Sequence, residues 1–185
     1  VLIWHSLPTQ NGQPADVVLG QPDFESNQPN VSGIGNDPSA QTLNWPYGVF
    51  SDGESLWIAD TGNRRILFYD GIPMTNFAPA DEVIGKPDFT NRDYENHEPI
   101  WPYSVKVNAK RQMVVADTQF YRSLVWNDAD KAFSKPADSI IGQADFDACG
   151  QNQFGLFPSS KSLNWIYDAC FYKDGILVND TGNSR

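Results

Sequence analysis

The chain of 185 residues has little of what most active sites are built from. Its only histidines are His5 and His97, and its only cysteines are Cys149 and Cys170. Two scattered histidines give no metal-ligand spacing, and no motif supports a Ser-His-Asp arrangement, since His5 falls in a strand. The two cysteines form neither a ligand pair nor a disulfide framework; they either bridge each other or stand as two thiols. The redox compartment stays open on that count. Basic residues are scarce as well: 13 Lys and Arg against 23 Asp and Glu leave a formal net charge of −10. Affinity for phosphate backbones and anionic membrane surfaces comes largely from Lys and Arg, so nucleic acid is disfavoured as a partner. No apolar run approaches the ~18 residues of a membrane span, and no signal-peptide pattern opens the chain. Position 1 is Val rather than Met, which reads as a processed or trimmed end.

What the chain does have is turn chemistry and aromatic residues, with 13 Pro, 14 Gly and 13% Phe, Trp and Tyr. These are arranged in an internal repeat, and a repeat decides the fold before any motif does. Four landmarks recur three times in one cyclic order. The first is an apolar strand: Val1-Leu2-Ile3-Trp4, Ile66-Leu67-Phe68-Tyr69 and Ser123-Leu124-Val125-Trp126. The second is Gly20-Gln21-Pro22-Asp23-Phe24, Gly85-Lys86-Pro87-Asp88-Phe89 and Gly142-Gln143-Ala144-Asp145-Phe146. The third is Trp45-Pro46-Tyr47-Gly48-Val49, Trp101-Pro102-Tyr103-Ser104-Val105 and Trp165-Ile166-Tyr167-Asp168-Ala169. The fourth is Ala59-Asp60-Thr61-Gly62-Asn63, Ala116-Asp117-Thr118-Gln119-Phe120 and Asn179-Asp180-Thr181-Gly182-Asn183.

Each copy spans roughly 60 residues and reads as four short strands, here a to d. Strand a is Gly48–Phe50, Val105–Val107 and Ala169–Phe171; strand b is Leu56–Ala59, Met113–Ala116 and Ile176–Asn179. Strand c is the first landmark, and strand d is Asp16–Leu19, Asp81–Ile84 and Asp138–Ile141. Polar turns such as Ser51-Asp52-Gly53-Glu54 join a to b, and Asp-Thr-Gly-Asn makes the b–c hairpin, where Gly and Asn are expected at positive φ. No stretch carries the 3.6-residue period of a long amphipathic helix. The d–a connections vary most: Phe24 to Trp45 and Phe146 to Trp165 are long, and Phe89 to Trp101 is the shortest.

Four antiparallel strands repeated radially describe the blades of an all-β propeller. The chain resembles an NHL-repeat protein over essentially its whole length. The likeness rests on Trp45-Pro46-Tyr47-Gly48-Val49, on Leu56-Trp57-Ile58-Ala59-Asp60-Thr61-Gly62-Asn63-Arg64, and on Ile66-Leu67-Phe68-Tyr69. Ala15-Asp16-Val17-Val18-Leu19-Gly20-Gln21-Pro22-Asp23-Phe24 is similar to the closing segment of the long-repeat bacterial variety. The later copies depart from the pattern, with Gln119-Phe120 for Gly-Asn and Ile166 for Pro. The resemblance implies a fold more than an activity.

On this reading, residues 1–24 are strands c and d of one blade, 45–89 and 101–146 are complete blades, and 165–185 are strands a and b of a next blade. Asp180-Thr181-Gly182-Asn183-Ser184-Arg185 followed by Val1-Leu2-Ile3-Trp4 matches the internal run from Asp60 to Tyr69. Propellers close with about four to eight blades. The expectation is therefore half of a six-bladed ring, completed by other sequence or by a second copy of the chain.

Candidate sites are weighed against plainer roles. Asp60, Asp117 and Asp180 sit in Asp-Thr strings, but the same Asp in every repeat points to turn bonding rather than catalysis. Trp45, Tyr47, Trp101, Tyr103, Trp165 and Tyr167 would recur on one face around the channel, as a rim for a peptide or glycan or as packing between blades. Phe24, Phe89 and Phe146 read as plugs between blades. Arg64, Arg65, Arg122 and Arg185 read as solvated or ion-paired surface arginines. A channel Ca²⁺ would need converging oxygens, and strand a offers chiefly Asp168 with Asn44 and Asn164 nearby, so no metal ligands or cofactor are assigned.

The expected function is a non-catalytic scaffold that binds a protein or peptide, with glycan second, through its variable loops and aromatic rim. The alternative is a propeller enzyme, a lyase or hydrolase with a divalent metal in the central channel. The resemblance implies His-containing metal sites for the amidating lyases of the family, and the two histidines here supply none. RNA binding, which the resemblance implies only for basic propeller faces, is disfavoured by the −10 charge. The long bacterial-type repeat suggests an exported or cell-surface protein.

Overall fold

A computed structural model of the chain describes residues 1–33, 35–93 and 95–185. The apolar runs form strands in sequence order: β1 (Leu2–Ile3), β2 (Val17–Val18), β3 (Pro46–Ser51), β4 (Leu56–Asp60), β5 (Arg65–Tyr69) and β6 (Glu82–Ile84). They continue as β7 (Pro102–Val107), β8 (Met113–Asp117), β9 (Arg122–Trp126), β10 (Ser139–Ile141), β11 (Ile166–Tyr172) and β12 (Gly175–Asp180). All pairing between these strands is antiparallel, in four sheets: β1-β2, β3-β4-β5-β6, β7-β8-β9-β10 and β11-β12. The protein is all-β, in an arrangement compatible with a propeller-like array, and its sheets do not close on one another. No described helix is long and apolar enough to cross a membrane.

The strands differ from a simple alternating pattern because both faces of the middle strands are buried, which calls for continuous apolar sequence. Along β4 and β5, Trp57, Ala59, Ile66 and Phe68 face the β7–β10 sheet, where Val105, Val115, Leu124 and Trp126 meet them. The intervening Leu56, Ile58, Leu67 and Tyr69 face the other way, toward Val17 and Leu19 of the β1-β2 sheet. A smaller cluster of Ala116, Leu163 and Ile166 joins β8 to β11. The middle strands β4, β5 and β8 thus each serve two cores, and period two distributes their side chains between them.

The innermost strands β3, β7 and β11 lie side by side, with β7 in the middle. Gly48 permits this approach: a Cβ there would run into the Tyr103 carbonyl on β7. A threonine hydroxyl fastens each four-stranded sheet to the one after it, with Thr61 donating to the Pro102 carbonyl and Thr118 donating to the Ile166 carbonyl.

The Asp-Thr-Gly-Asn segment is a single 3-10 turn rather than a tight hairpin, and it spans Thr61–Asn63, Thr118–Phe120 and Thr181–Asn183. The expected positive φ at Gly and Asn is not found there. The left-handed residue is the one that follows, Arg64 at φ 59°, Tyr121 at 52° and Ser184 at 58°. Gln119-Phe120 therefore leaves the turn intact, because neither replaced position carries the left-handed conformation.

The reading of all the arginines as surface groups is overturned. Arg65 and Arg122 are fully buried beside fully buried Asp60 and Asp117, at 2.7 and 2.9 Å. Each guanidinium spends its other donors on carbonyls. Arg65 reaches Phe89, Ser39 and Thr42; Arg122 reaches Phe146 and Glu98. The carboxylate and carbonyl partners on all three nitrogens of each guanidinium make the burial tolerable, since an uncompensated buried charge is strongly destabilising. Phe89 and Phe146 pack against the cores, as expected of plugs, while Phe24 is exposed. Both cysteines are free.

Arg122→Met should lower unfolding stability by about 3–5 kcal/mol, because Asp117 is left buried without its cation. Lys110→Ala, which removes an exposed partner of Asp174, should leave the urea midpoint unchanged. Equal midpoints for the two variants would show that the buried pair is not a fastening.

Candidate functional site

The side chains that the structure gathers are the tyrosines of the innermost strands. Each belongs to the third landmark and sits at a strand start where the pairing register shifts, between Pro46 and Gly48, Pro102 and Ser104, and Ile166 and Ala169. A register shift lets one residue escape the alternation and turns its side chain off the core. Tyr47 and Tyr103 lie with ring centroids 4.1 Å apart, and Tyr103 meets Tyr167 edge-on at 5.3 Å. The three rings make a continuous aromatic strip across β3, β7 and β11. Tyr47 and Tyr167 are exposed, at 60% and 43%, and Tyr103 between them is half-buried.

Burial raises the Tyr103 phenol to about 12, helped by its hydrogen bond to Tyr47. Tyr103 is therefore uncharged at neutral pH, and the strip presents apolar faces and hydroxyl tips. Beside it on the same strands, Lys106 pairs with Asp168 at 3.6 Å, and the Ser104 hydroxyl accepts the Ala169 N–H. Apolar rings edged with hydroxyls suit ligands that stack and hydrogen-bond at once.

The tryptophans of the same landmark are not gathered. Trp45 and Trp165 hold φ 48°, which swings them off the strand line, and both are exposed. Trp165 lies edge-on to Tyr121 at 5.5 Å, and Trp101 is half-buried with its backbone N–H on Asp117. Of the six aromatics singled out by the repeat, three form a strip and three stand apart. Sequence spacing alone made them equivalent; the register shift separates them.

The repeated aspartates lie behind the strip. Asp60 accepts the Asn44 N–H and the Asn63 amide as well as Arg65, and Asp180 accepts the Asn164 N–H in the same way. Burial pushes the Asp60 and Asp117 carboxyls up, against the pull of Arg65 and Arg122. With every oxygen engaged and no exposure, these groups hold the chain entering β3, β7 and β11 and do not face a substrate. Asn44 and Asn164, considered above as metal oxygens, are buried against the turns, and each amide oxygen lacks a hydrogen-bond partner. Among the described residues, no three of His, Cys, Asp and Glu lie close enough together to hold a metal ion.

Those two asparagines explain the glycine of the turn. A Cβ on Gly62 would lie 2.6 Å from the Asn44 side chain, and one on Gly182 would lie 2.5 Å from Asn164. In the second repeat Ile100 replaces Asn and Gln119 replaces Gly, so the two positions change together.

No protein-family model matches the chain, and no curated protein matches it.

Gly62→Ala should cost about 1–3 kcal/mol through forced contact with Asn44. Adding Asn44→Ala should recover most of the loss, and a double-mutant cycle by urea denaturation reads the coupling. Additive effects would place the glycine requirement elsewhere.

Proposed function

We propose that the chain is a stretch of an NHL-type β-propeller, and that it acts as a non-catalytic scaffold binding a protein or peptide, with glycan as the second ligand class. The observation that carries this reading is the tyrosine strip Tyr47-Tyr103-Tyr167 across the three innermost strands, where a propeller has its channel mouth. Support comes from the threefold repeat, the antiparallel sheets with two buried faces, and the side-by-side innermost strands. Aromatics combine large apolar area with a polar tip, which is the chemistry of interface hot spots and of stacking on sugar rings. The −10 charge favours partners other than nucleic acid. An extracytoplasmic setting is part of the same reading, on the strength of the bacterial-type repeat.

In this reading β1-β2 and β11-β12 are halves of blades, and further strands of the same repeat lie along β1 and β12. Arg185 supports it. It holds Asp180, Ser159 and Ser162 as Arg65 holds its partners, and among the described residues it has no counterpart of the contact that Arg65 makes with the Phe89 carbonyl. Phe24, in the position of Phe89, is 52% exposed. Other sequence or a second copy of the chain supplies the missing partners, completing about six blades.

Two measurements test the proposal. On peptide and oligosaccharide arrays, Tyr103→Ala should lose at least about tenfold in affinity for any ligand the native chain retains, the range of an interface hot spot. Undiminished binding by that variant would move the site off the strip. Sedimentation of the 185-residue chain should show a particle of twice the chain mass or a species that associates through its edges. A well-folded, non-associating monomer removes the half-ring reading.

A further inference from the structure

The seams between neighbouring sheets are built from corresponding pieces, and one of them is left open. At the seam beside β2, the loop 70–81 is sewn down by four hydrogen bonds. The Val18 N–H donates to the Asn76 side chain at 3.0 Å, and the Phe77 N–H donates to the Val18 carbonyl at 2.9 Å. The Ala80 N–H donates to the Ala40 carbonyl, and the Gln41 amide donates to the Phe77 carbonyl, both at 2.8 Å.

The seam beside β6 has the same parts with different residues. Its loop, 127–138, is closed by the same bond, Asn127 N–H to Asp138, that closes the first from Asp70 to Asp81. Phe133 stands where Asn76 stood, and it turns onto Phe68 at 5.0 Å instead of reaching the strand edge. His97 stands where Gln41 stood, and it lies on the Phe146 ring at 4.7 Å. The chain from Phe89 to Trp101 is also the shortest of the three connections. The result is a cleft of ≈ 570 Å³ between described residues of 85–93 and 95–99 on one side and 132–136 on the other. That volume lies in the range of sites that bind small ligands or short peptide segments.

The cleft has an aromatic and proline wall and an acidic mouth. Phe133 and Pro136 supply the accessible apolar lining, and Trp126 and Pro99, both buried, complete it. The titratable groups around it are Lys86, Asp93, Glu95, His97, Glu98 and Lys135. Lys86 is taken by Glu98 at 2.8 Å, and Lys135 by Asp138 at 2.6 Å. Asp93 and Glu95 are exposed and have no ion-pair partner among the described residues. The lining therefore keeps an excess of negative charge beside aromatic rings.

From this we infer that the cleft between residues 85–93 and 95–99 on one side and 132–136 on the other binds a peptide segment bearing an arginine next to proline. A guanidinium stacks on an aromatic face and bonds a carboxylate in its own plane, which a lysine ammonium does only as a point charge. Prolines flanking the arginine hold the segment extended at low entropic cost and pack against the proline wall. The inference stands apart from the tyrosine strip, which lies on the innermost strands, and from any ring closure.

The test uses fluorescence anisotropy with the labelled, end-blocked peptide Gly-Pro-Arg-Pro-Gly and a twin carrying glutamate for arginine. The arginine peptide should bind the 185-residue chain, with affinity falling as salt rises, and the glutamate twin should not. The double variant Asp93→Asn, Glu95→Gln changes only exposed groups, and it should weaken binding by about fivefold. Phe133→Asn restores the side chain of the closed seam and should weaken binding as well. If that variant fails to fold, the surface double variant still decides. Equal binding of the twin, or unchanged affinity in the double variant, overturns the inference.

Discussion

The aspartate–arginine pair at each Asp-Thr turn, fully buried at Asp60–Arg65 and Asp117–Arg122, is the interaction on which the other contacts hang. An ion pair sealed from water gains little by itself, because the desolvation of two charges offsets their attraction. Its effect here comes from where the remaining hydrogen bonds go. The aspartate takes the backbone of the chain entering the innermost strand, at Asn44, Ile100 or Asn164. The arginine takes carbonyls from the connection arriving ahead of that strand, at Thr42, Glu98 or Ser162. Arg65 and Arg122 also take the Phe89 and Phe146 carbonyls, in the segment that leaves their own sheet. One side-chain pair thus fixes three stretches of backbone that are far apart in sequence. The threonine beside it adds a fourth, the innermost strand of the next sheet.

With the turns held this way, the connections between sheets are free to differ, and the second repeat shows how far. It exchanges Asn for Ile100 and Gly for Gln119, removing a buried amide and the glycine that amide required. Phe120 stands where the other copies have Asn63 and Asn183, which bond reciprocally with Asn30 and Asn152 in the long connections. Arg122 lies over the Phe120 ring at 5.1 Å, so an aromatic face takes over part of what the amides did. The short connection from Phe89 to Trp101 goes with that exchange: fewer residues are available to build a partner for the turn. The open seam beside β6 belongs to the same set of changes, since His97 and Phe133 turn to aromatic neighbours instead of bridging.

The sheet order was legible in the sequence because the landmarks recur in one cyclic order and the apolar runs are short. Strand bounds shifted by a few residues, with β3 beginning at Pro46 rather than Gly48 and β2 reduced to Val17–Val18. The depth of the arginines was not legible. Arg64 and Arg65 are neighbours of identical type, and only the strand pairing makes Arg65 a β5 residue facing inward while Arg64 takes the left-handed position. The aromatic strip was half legible. Repeat spacing marked Trp and Tyr alike, and the register shifts that pick out the tyrosines leave no trace in residue type. The glycine of the turn was assigned for its φ, whereas its role is steric and involves Asn44 or Asn164, far back along the chain in both copies that keep it.

The contrast between the two seams bears on how a repeat fold acquires a cleft. Its cores tolerate little change, since each middle strand packs against two neighbours and a volume error is felt on both faces. The connections are bound by fewer contacts, and what binds them is concentrated at the aspartate–arginine nodes. Shortening one connection and replacing a bridging amide with Phe133 therefore opens a cleft without disturbing the sheets on either side. The same freedom does not extend to the tyrosine strip, whose spacing is set by the close approach of β3 and β7 at Gly48. The strip is a surface fixed by backbone packing, and the cleft is one fixed by loop length. The two places can change independently, because no residue of the cleft lies on an innermost strand.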